Sequence, residues 1–213
     1  MTSFDLSVFE APLTLPELRN GPVLLRGFAM SDLSLIRGAA ADPYIPTMTS
    51  VPSPYSDDNG RAFIERQHRL ALHGHGYPFV ISESVVSGSG VSGSGDSSSS
   101  QDGVGALGMW LRDIENGRAS IGYWLLPSAR GKRLAGRALR AIVTYAFETL
   151  AIPRLQLFIE PWNVASQRTA EYAGFSREAL LRGWERISGT QHDAYCYALL
   201  HQEWNGDGYL EGP

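Results

Sequence analysis

Residues Ile121–Leu150, IGYWLLPSARGKRLAGRALRAIVTYAFETL, decide how the rest of this chain is read. A strand-like run ends at Pro127, a short basic glycine loop follows, and a long amphipathic helix comes next. Five cations, Arg130, Lys132, Arg133, Arg137 and Arg140, fall between Ser128 and Ala141, with no acid before Glu148. A helix start carries unpaired backbone N–H groups and the positive end of the helix dipole, so it is ready to hold an anion. The loop reads as a cradle for the phosphates of a cofactor.

That cluster stands against an acidic background. The 213 residues carry a formal charge of −4, with 43% apolar and 19% charged content. This is ordinary for a globular chain and enough for one domain, residues 1–213, with a real core. A net negative charge argues against a general nucleic-acid binder, and the local contrast favours a small anionic ligand. The single cysteine, Cys196, excludes an intrachain disulfide and a zinc site of cysteine pairs. Set in AYCYALL, it reads as a buried core thiol. The HGH at 73–75 lacks a nearby carboxylate cluster, so no metal is expected. No apolar run approaches the ~18 residues of a membrane span, and MTSFDLSVFEAPL lacks the features of a signal peptide. The expectation is a cytoplasmic protein without membrane or nucleic-acid partners.

Working outward, the helix after the loop has Leu134, Ala138, Leu139, Ile142, Val143, Ala146, Phe147 and Leu150 on one face and ends before Pro153. RLQLFIE (154–160) is a strand stopped by Pro161. NVASQRTAEYAGF (163–175) is a short helix, with Asn163 as N-cap and Gly174 as its stop. SREALLRGWERI and HDAYCYALLHQEW form a closing hairpin around SGTQ. Upstream, RASIGYWLL (118–126) pairs with VGALGMWLRDI (104–114) across ENG. Residues 84–103 are dominated by serine and glycine, have almost nothing to bury, and read as a flexible insertion between that strand and YPFVISE (77–83).

Residues 56–74 read as an amphipathic helix with Phe63, Ile64, Leu70 and Leu72 as its main apolar residues, stopped by Gly74. Four prolines between Pro43 and Pro54 argue against regular helix there. SDLSLIRGAAAD (31–42) is a helix with Leu33, Ile36 and Ala40 on one face, and PVLLRGF (22–28) is the first strand. Residues 1–20 are an N-terminal extension expected to lie over the domain rather than in its core. The whole is an α/β chain, α+β in layout, with one mixed, mainly antiparallel sheet flanked by helices.

Two segments together carry a resemblance. RGKRLAGRAL resembles the R-x-x-G-x-G/A loop of the GCN5-related N-acetyltransferases (GNAT), which follows a strand, opens a helix and binds the pyrophosphate of acetyl-coenzyme A. NVASQRTAEYAGF resembles the N-x-x-S-x-R…GF segment of the same family, one strand later. The combination is most similar to the subgroup of RimJ/RimL ribosomal-protein N-terminal acetyltransferases. It spans about residues 104–200, the first hundred residues fitting in element order only, and two motifs in register are far more specific than one glycine loop.

The resemblance implies a single GNAT domain using acetyl-coenzyme A as co-substrate and an amine-bearing peptide or small molecule as partner, with a homodimer left open. By position, the backbone of Leu125 and Leu126 would pair with the pantetheine arm. Amides from Gly131 through Lys132, Arg133, Leu134, Ala135 and Gly136 would hold the pyrophosphate. Arg130, Lys132 or Arg137 would reach the third phosphate, and Asn163, Ser166 and Arg168 would line the far side of the channel. Three positions depart from the family pattern. Arg133 stands at the first motif glycine, where a positive φ would cost an arginine roughly 1–2 kcal/mol. Ser120 stands where many relatives have a glutamate base. Ala170 stands at the tyrosine acid of other relatives, with Tyr172 displaced by two.

Acetyl transfer needs a neutral amine and a proton for the departing thiolate. An α-amino group has a pKa of about 7.7–8.0 and a lysine about 10.4, so a chain without the expected glutamate suits an α-amine, such as a peptide N-terminus, or another low-pKa amine better than lysine. Ser166 is a candidate donor to the thiolate, Glu160 a candidate base acting through water, and Tyr172 a candidate acid that competes with a packing role. Of Trp110, Tyr123, Trp124 and Trp184, one or two are expected to line the acceptor site. Two alternatives stand beside this reading: a small aminoglycoside-like acceptor, which needs an acidic pocket, and a non-catalytic acyl-coenzyme A binding module. A P-loop is excluded, because Lys132 is followed by Arg133 and the required earlier glycine is missing.

Overall fold

The computed structural model describes residues 4–83 and 102–206. The chain runs β1 (Leu18–Asn20), β2 (Val23–Arg26), α1 (Leu33–Ala40), α2 (Ile45–Met48), α3 (Asp57–Leu72) and β3 (Gly76–Glu83). It continues through β4 (Gly103–Asp113), β5 (Arg118–Leu125), α4 (Leu134–Thr144), β6 (Arg154–Ile159), α5 (Val164–Tyr172), β7 (Ser176–Ile187) and β8 (Thr190–Leu200). The strands form one eight-stranded sheet in the order β1-β2-β3-β4-β5-β6-β8-β7. Every neighbouring pair is antiparallel except β5 and β6. The serine- and glycine-rich stretch expected at 84–103 lies outside the described residues up to Gln101, and Gly103 already opens β4.

Both faces of the sheet are covered, which is why β3 is buried along nearly its whole length. On one face, α4 packs its apolar stripe against alternate strand residues such as Phe79, Leu107 and Leu157. On the other, α1, α2 and α3 enclose a second cluster with Ile36, Ile45, Phe63, Ile64 and Val80. Phe79 and Val80 thus serve opposite faces, as the two-residue period of a strand requires. No helix among the described residues is long and apolar enough to cross a membrane.

Four local expectations change. Phe9 and Leu13 are buried in the main core, and Leu18–Asn20 pairs with β2 as an edge strand, so the N-terminal segment is part of the fold. The buried face of α3 is Gly60, Phe63, Ile64, Gln67 and Ala71; Leu72 is exposed, because it falls off the stripe set by Phe63 and Ile64. One helical turn, α2, forms within the proline-rich stretch: Pro46 stands at its start, where a missing N–H costs nothing, and Asp42 caps it by accepting from Tyr44 N and Ile45 N. The helix begun by α4 passes at Tyr145–Thr149 into a π-helical turn, with Leu150 N–H donating to Tyr145 O.

Phe9→Ala and Leu13→Ala are each expected to lower unfolding stability by roughly 2–4 kcal/mol. Urea titration measures this; a segment merely lying over the domain would give values near zero.

Candidate active site

β5 and β6 are paired in parallel only at Arg118–Ser120 with Arg154–Gln156. Beyond Ser120, β5 stays with β4, while β6 stays with β8. The two strands splay, and a cavity of about 990 Å³ fills the opening. Leu126 donates its amide to Val104 on the β4 side at 2.9 Å. In an antiparallel ladder the backbone groups of Leu125 and Tyr123 must then face the other edge, from which β6 has departed. Of the two residues expected to pair with a pantetheine arm, Leu125 presents its backbone to the opening and Leu126 does not. The Leu125 carbonyl is already taken by Arg130 Nε at 3.1 Å, which leaves its amide facing that edge.

At the end of β5 the chain enters the basic loop. Gly131 has φ 78° and nothing near the place a Cβ would take, so its backbone can be approached closely. Arg133 has φ 59° and ψ 12°, the left-handed conformation of a glycine, and precedes α4 without offering its first-turn amides a side-chain acceptor. That first turn contains no acid. The loop therefore keeps the glycine geometry despite the arginine, and α4 opens with free donors at its positive end. Leu134, Ala135 and Gly136 are buried as part of that turn.

The cations around the loop are not equivalent. Arg130 donates to Asp42 at 2.7 Å, so its guanidinium is engaged within the protein. Arg137 packs against the β1–β2 turn, where a Cβ on Gly21 would meet its Nη1 at 2.5 Å. Lys132 is exposed on the loop. Arg168 is exposed on α5 and does not line the cavity. Tyr172 does not reach the cavity either. Its ring fills the space a Cβ on Gly136 would need, at 2.7 Å, and lies under the Arg140 guanidinium at 5.9 Å. Tyr172 packs on Gly136, where a Cβ would force its partly exposed ring to move.

Ser120, Glu160, Asn163 and Ser166 do come together on the cavity wall. Asn163 caps α5 by accepting from Ser166 N at 3.1 Å, which sets the Ser166 hydroxyl on the cavity side. That hydroxyl bonds the Tyr123 hydroxyl at 2.9 Å, and burial pushes the Tyr123 phenol up. Glu160, only 6% exposed, ends β6 and accepts from Tyr44 OH at 2.7 Å and His192 Nδ1 at 2.8 Å. Burial, with the Glu160 carboxylate beside it, pushes the Tyr44 phenol far up. All of Trp110, Tyr123, Trp124 and Trp184 line the cavity, and the Trp110 indole lies over the facing glycines Gly108 and Gly122. Cys196 lines it too, but burial pushes its thiol up, away from the reactive thiolate.

Sequence reasoning missed Tyr44, Asp42 and His192. Tyr44 lies 116 positions from Glu160, within a proline-rich stretch that carries no motif. His192 was within reach, since it shares with Ala194 and Cys196 one face of a strand. Burial pushes the Asp42 carboxyl up, but the amides of Ile45 and Tyr44 and the Arg130 guanidinium outweigh it and hold the carboxyl below its ordinary range.

Two parallel strands thus splay beside a large cavity, and a basic helix start without a side-chain cap follows the first of them. The chain matches the acetyltransferase (GNAT) domain over residues 23–176, and it belongs to that family. It is an N-acetyltransferase by class, and acetyl-coenzyme A is the family's co-substrate. It is 28% identical over 183 residues to the uncharacterized N-acetyltransferase p20 of Bacillus licheniformis, covering 85% of this chain and 94% of the relative. Among solved structures, Mycobacterium smegmatis RimJ in complex with CoA-disulfide superposes with a TM-score of 0.72 at 23% identity, covering 91% of this chain and 90% of RimJ. RimL, a ribosomal L7/L12 alpha-N-protein acetyltransferase in complex with coenzyme A, gives 0.68 at 21%, covering 87% of this chain and 98% of RimL. At these identities the two structures speak to the fold.

Two outcomes are expected of the loop and its clasp. Because the folded-state pKa of Asp42 is depressed, its stabilisation is complete above the unfolded value and is lost as pH falls through the folded one. Asp42→Asn should therefore flatten the acid side of the stability–pH curve, measured by urea unfolding at stepped pH. Arg133→Gly should raise stability by roughly 0.5–1 kcal/mol by removing left-handed strain, whereas the β-branched Arg133→Val should lower it by about 1 kcal/mol.

Proposed function

We propose that this chain transfers the acetyl group of acetyl-coenzyme A to the α-amino group of a peptide or protein N-terminus. The observation that carries this reading is the β5–β6 opening, with Asn163, Ser166 and Glu160 on its wall, together with the basic helix start without a side-chain cap that follows β5. The free edge at Leu125 and Tyr123 matches an extended pantetheine arm, which can bond to a strand edge like another strand. The open Gly131 and the first-turn amides through Gly136 match the pyrophosphate, and Lys132 is the exposed cation left for the third phosphate. Arg130 acts from behind, holding the loop to Asp42.

Within the site, Ser166 stands where a proton can be given to the departing thiolate, and Tyr123, bonded to it, can replace that proton. Glu160 and Glu185 place negative charge at one end of the cavity, where an ammonium would enter. Arg112 and Arg118 line the cavity as well. Arg118 is paired with Asp113, which also lines the cavity, so Arg112 is the guanidinium that a polycation such as an aminoglycoside would meet.

Acetyl-coenzyme A at millimolar concentration should raise the melting temperature by several degrees, since a ligand at 100 times its Kd adds about 2.7 kcal/mol. Thiol release should then appear with short peptides bearing free N-termini. Turnover confined to lysine side chains or aminoglycosides would overturn the acceptor assignment, and coenzyme binding with no release on any amine would favour a binding module.

A further inference from the structure

We infer that His192 is the base that takes the proton from the acceptor amine, with Glu160 and Tyr44 as the residues that position it. This rests on the acetyl-transfer reading above. His192 is the direct cross-strand partner of Glu185, so the two side chains share one face of the sheet. Glu185 lines the cavity, and so does Cys196, four residues along β8 and on the same face as His192. The imidazole is 36% exposed; it is not itself a lining residue, but it bonds one carboxylate that lines the cavity, Glu160, and is paired across the strands with the other, Glu185.

Its orientation is set from behind. An ionised carboxylate only accepts, so Nδ1 at 2.8 Å from Glu160 Oε1 must carry the ring proton toward it. Tyr44 OH, donating to Oε2 at 2.7 Å, holds the carboxylate in place. The Tyr44 ring is held in turn by Trp162, edge to face at 4.9 Å. With Nδ1 committed, Nε2 is left with a lone pair, the arrangement in which a buried carboxylate fixes the tautomer of a basic histidine. Glu160 has a donor on each oxygen, which suits it to positioning the imidazole better than to abstracting a proton itself.

Among the described residues, the titratable groups facing the imidazole are Glu160, just past β6, which bonds it, and Glu185 of β7, its cross-strand partner, with Tyr44 behind on Glu160. Asp193, the next residue, is turned to the other face and accepts from Gly183 N at 2.8 Å. The proton count closes. The amine enters as an ammonium and gives one proton to His192 Nε2, which passes it to water. The neutral amine forms the C–N bond as the C–S bond breaks, its second proton goes to the thiolate sulfur through the Ser166 hydroxyl, and the third stays on the amide.

The test is the pH dependence of thiol release with free-N-terminus tripeptides, for the wild type, His192→Gln and Glu185→Gln, alongside the acetyl-coenzyme A thermal shift and the ring ¹⁵N spectrum of His192. The expected result for His192→Gln is a fall in kcat/KM of about 10²–10⁴-fold, loss of the acid limb, partial recovery with added imidazole, and an unchanged coenzyme shift. The neutral ring should carry its proton on Nδ1. An unchanged rate and pH profile, transfer of the acid limb to Glu185→Gln, or a ring proton on Nε2 would each overturn the assignment. If acetyl-coenzyme A gives no shift with either protein, the coenzyme reading has failed, and the ring proton then decides His192 by itself.

Discussion

Parallel pairing between β5 and β6 stops at Ser120 and Gln156, and most of the molecule's capacity to act follows from that interruption. A strand edge left unpaired inside a domain holds amides and carbonyls that need partners. Here the edge beyond Ser120 faces no strand, and at Tyr123 it borders a large cavity. Each divergent strand remains fixed on its outer side, β5 by β4 and β6 by β8, which keeps the gap from collapsing. The basic loop and the start of α4 follow directly from the end of β5.

A second thread ties the two ends of that opening together. Arg130, leaving the basic loop, grips Asp42; Asp42 caps the turn that begins at Tyr44; and Tyr44 reaches Glu160, which holds His192. The sequence distances along this path are long, 88 residues between Arg130 and Asp42 and 116 between Tyr44 and Glu160. Each link is a hydrogen bond to a carboxylate, the stronger kind, and both carboxylates are buried. The basic loop and the Glu160 side of the cavity are thereby parts of one bonded frame.

How much was legible beforehand differs by element. The strands at 77–83, 104–114, 118–126 and 154–160 and the helix opened by Leu134 stood out because their apolar periods are regular and their ends are marked by glycine or proline. The family came from two short motifs in register. Tyr172 looked like a displaced acid because spacing is counted along the chain; in space its ring fills the gap left by Gly136, and no count of residues could report that. Leu126 failed for a related reason, since which edge a backbone group faces depends on ladder parity. Residues 1–20 read as peripheral because Phe9 and Leu13 have no periodic neighbours, and they join the core through contacts with distant elements, such as Leu13 N–H donating to Ala71 of α3.

By itself, the sequence determined the mixed sheet, the basic glycine loop with its oddly placed Arg133, and the reaction class, all of which depend on residues close together along the chain. Turns, caps, strand periods and helix starts are local chemistry, written where they act. Only the tertiary structure decided that Arg133 adopts the left-handed turn, that Arg130 is spent on Asp42, and that Tyr44 and His192 converge on Glu160. Those outcomes are set by packing between segments far apart in sequence, where burial makes each carboxylate accept whatever donors the fold brings to it.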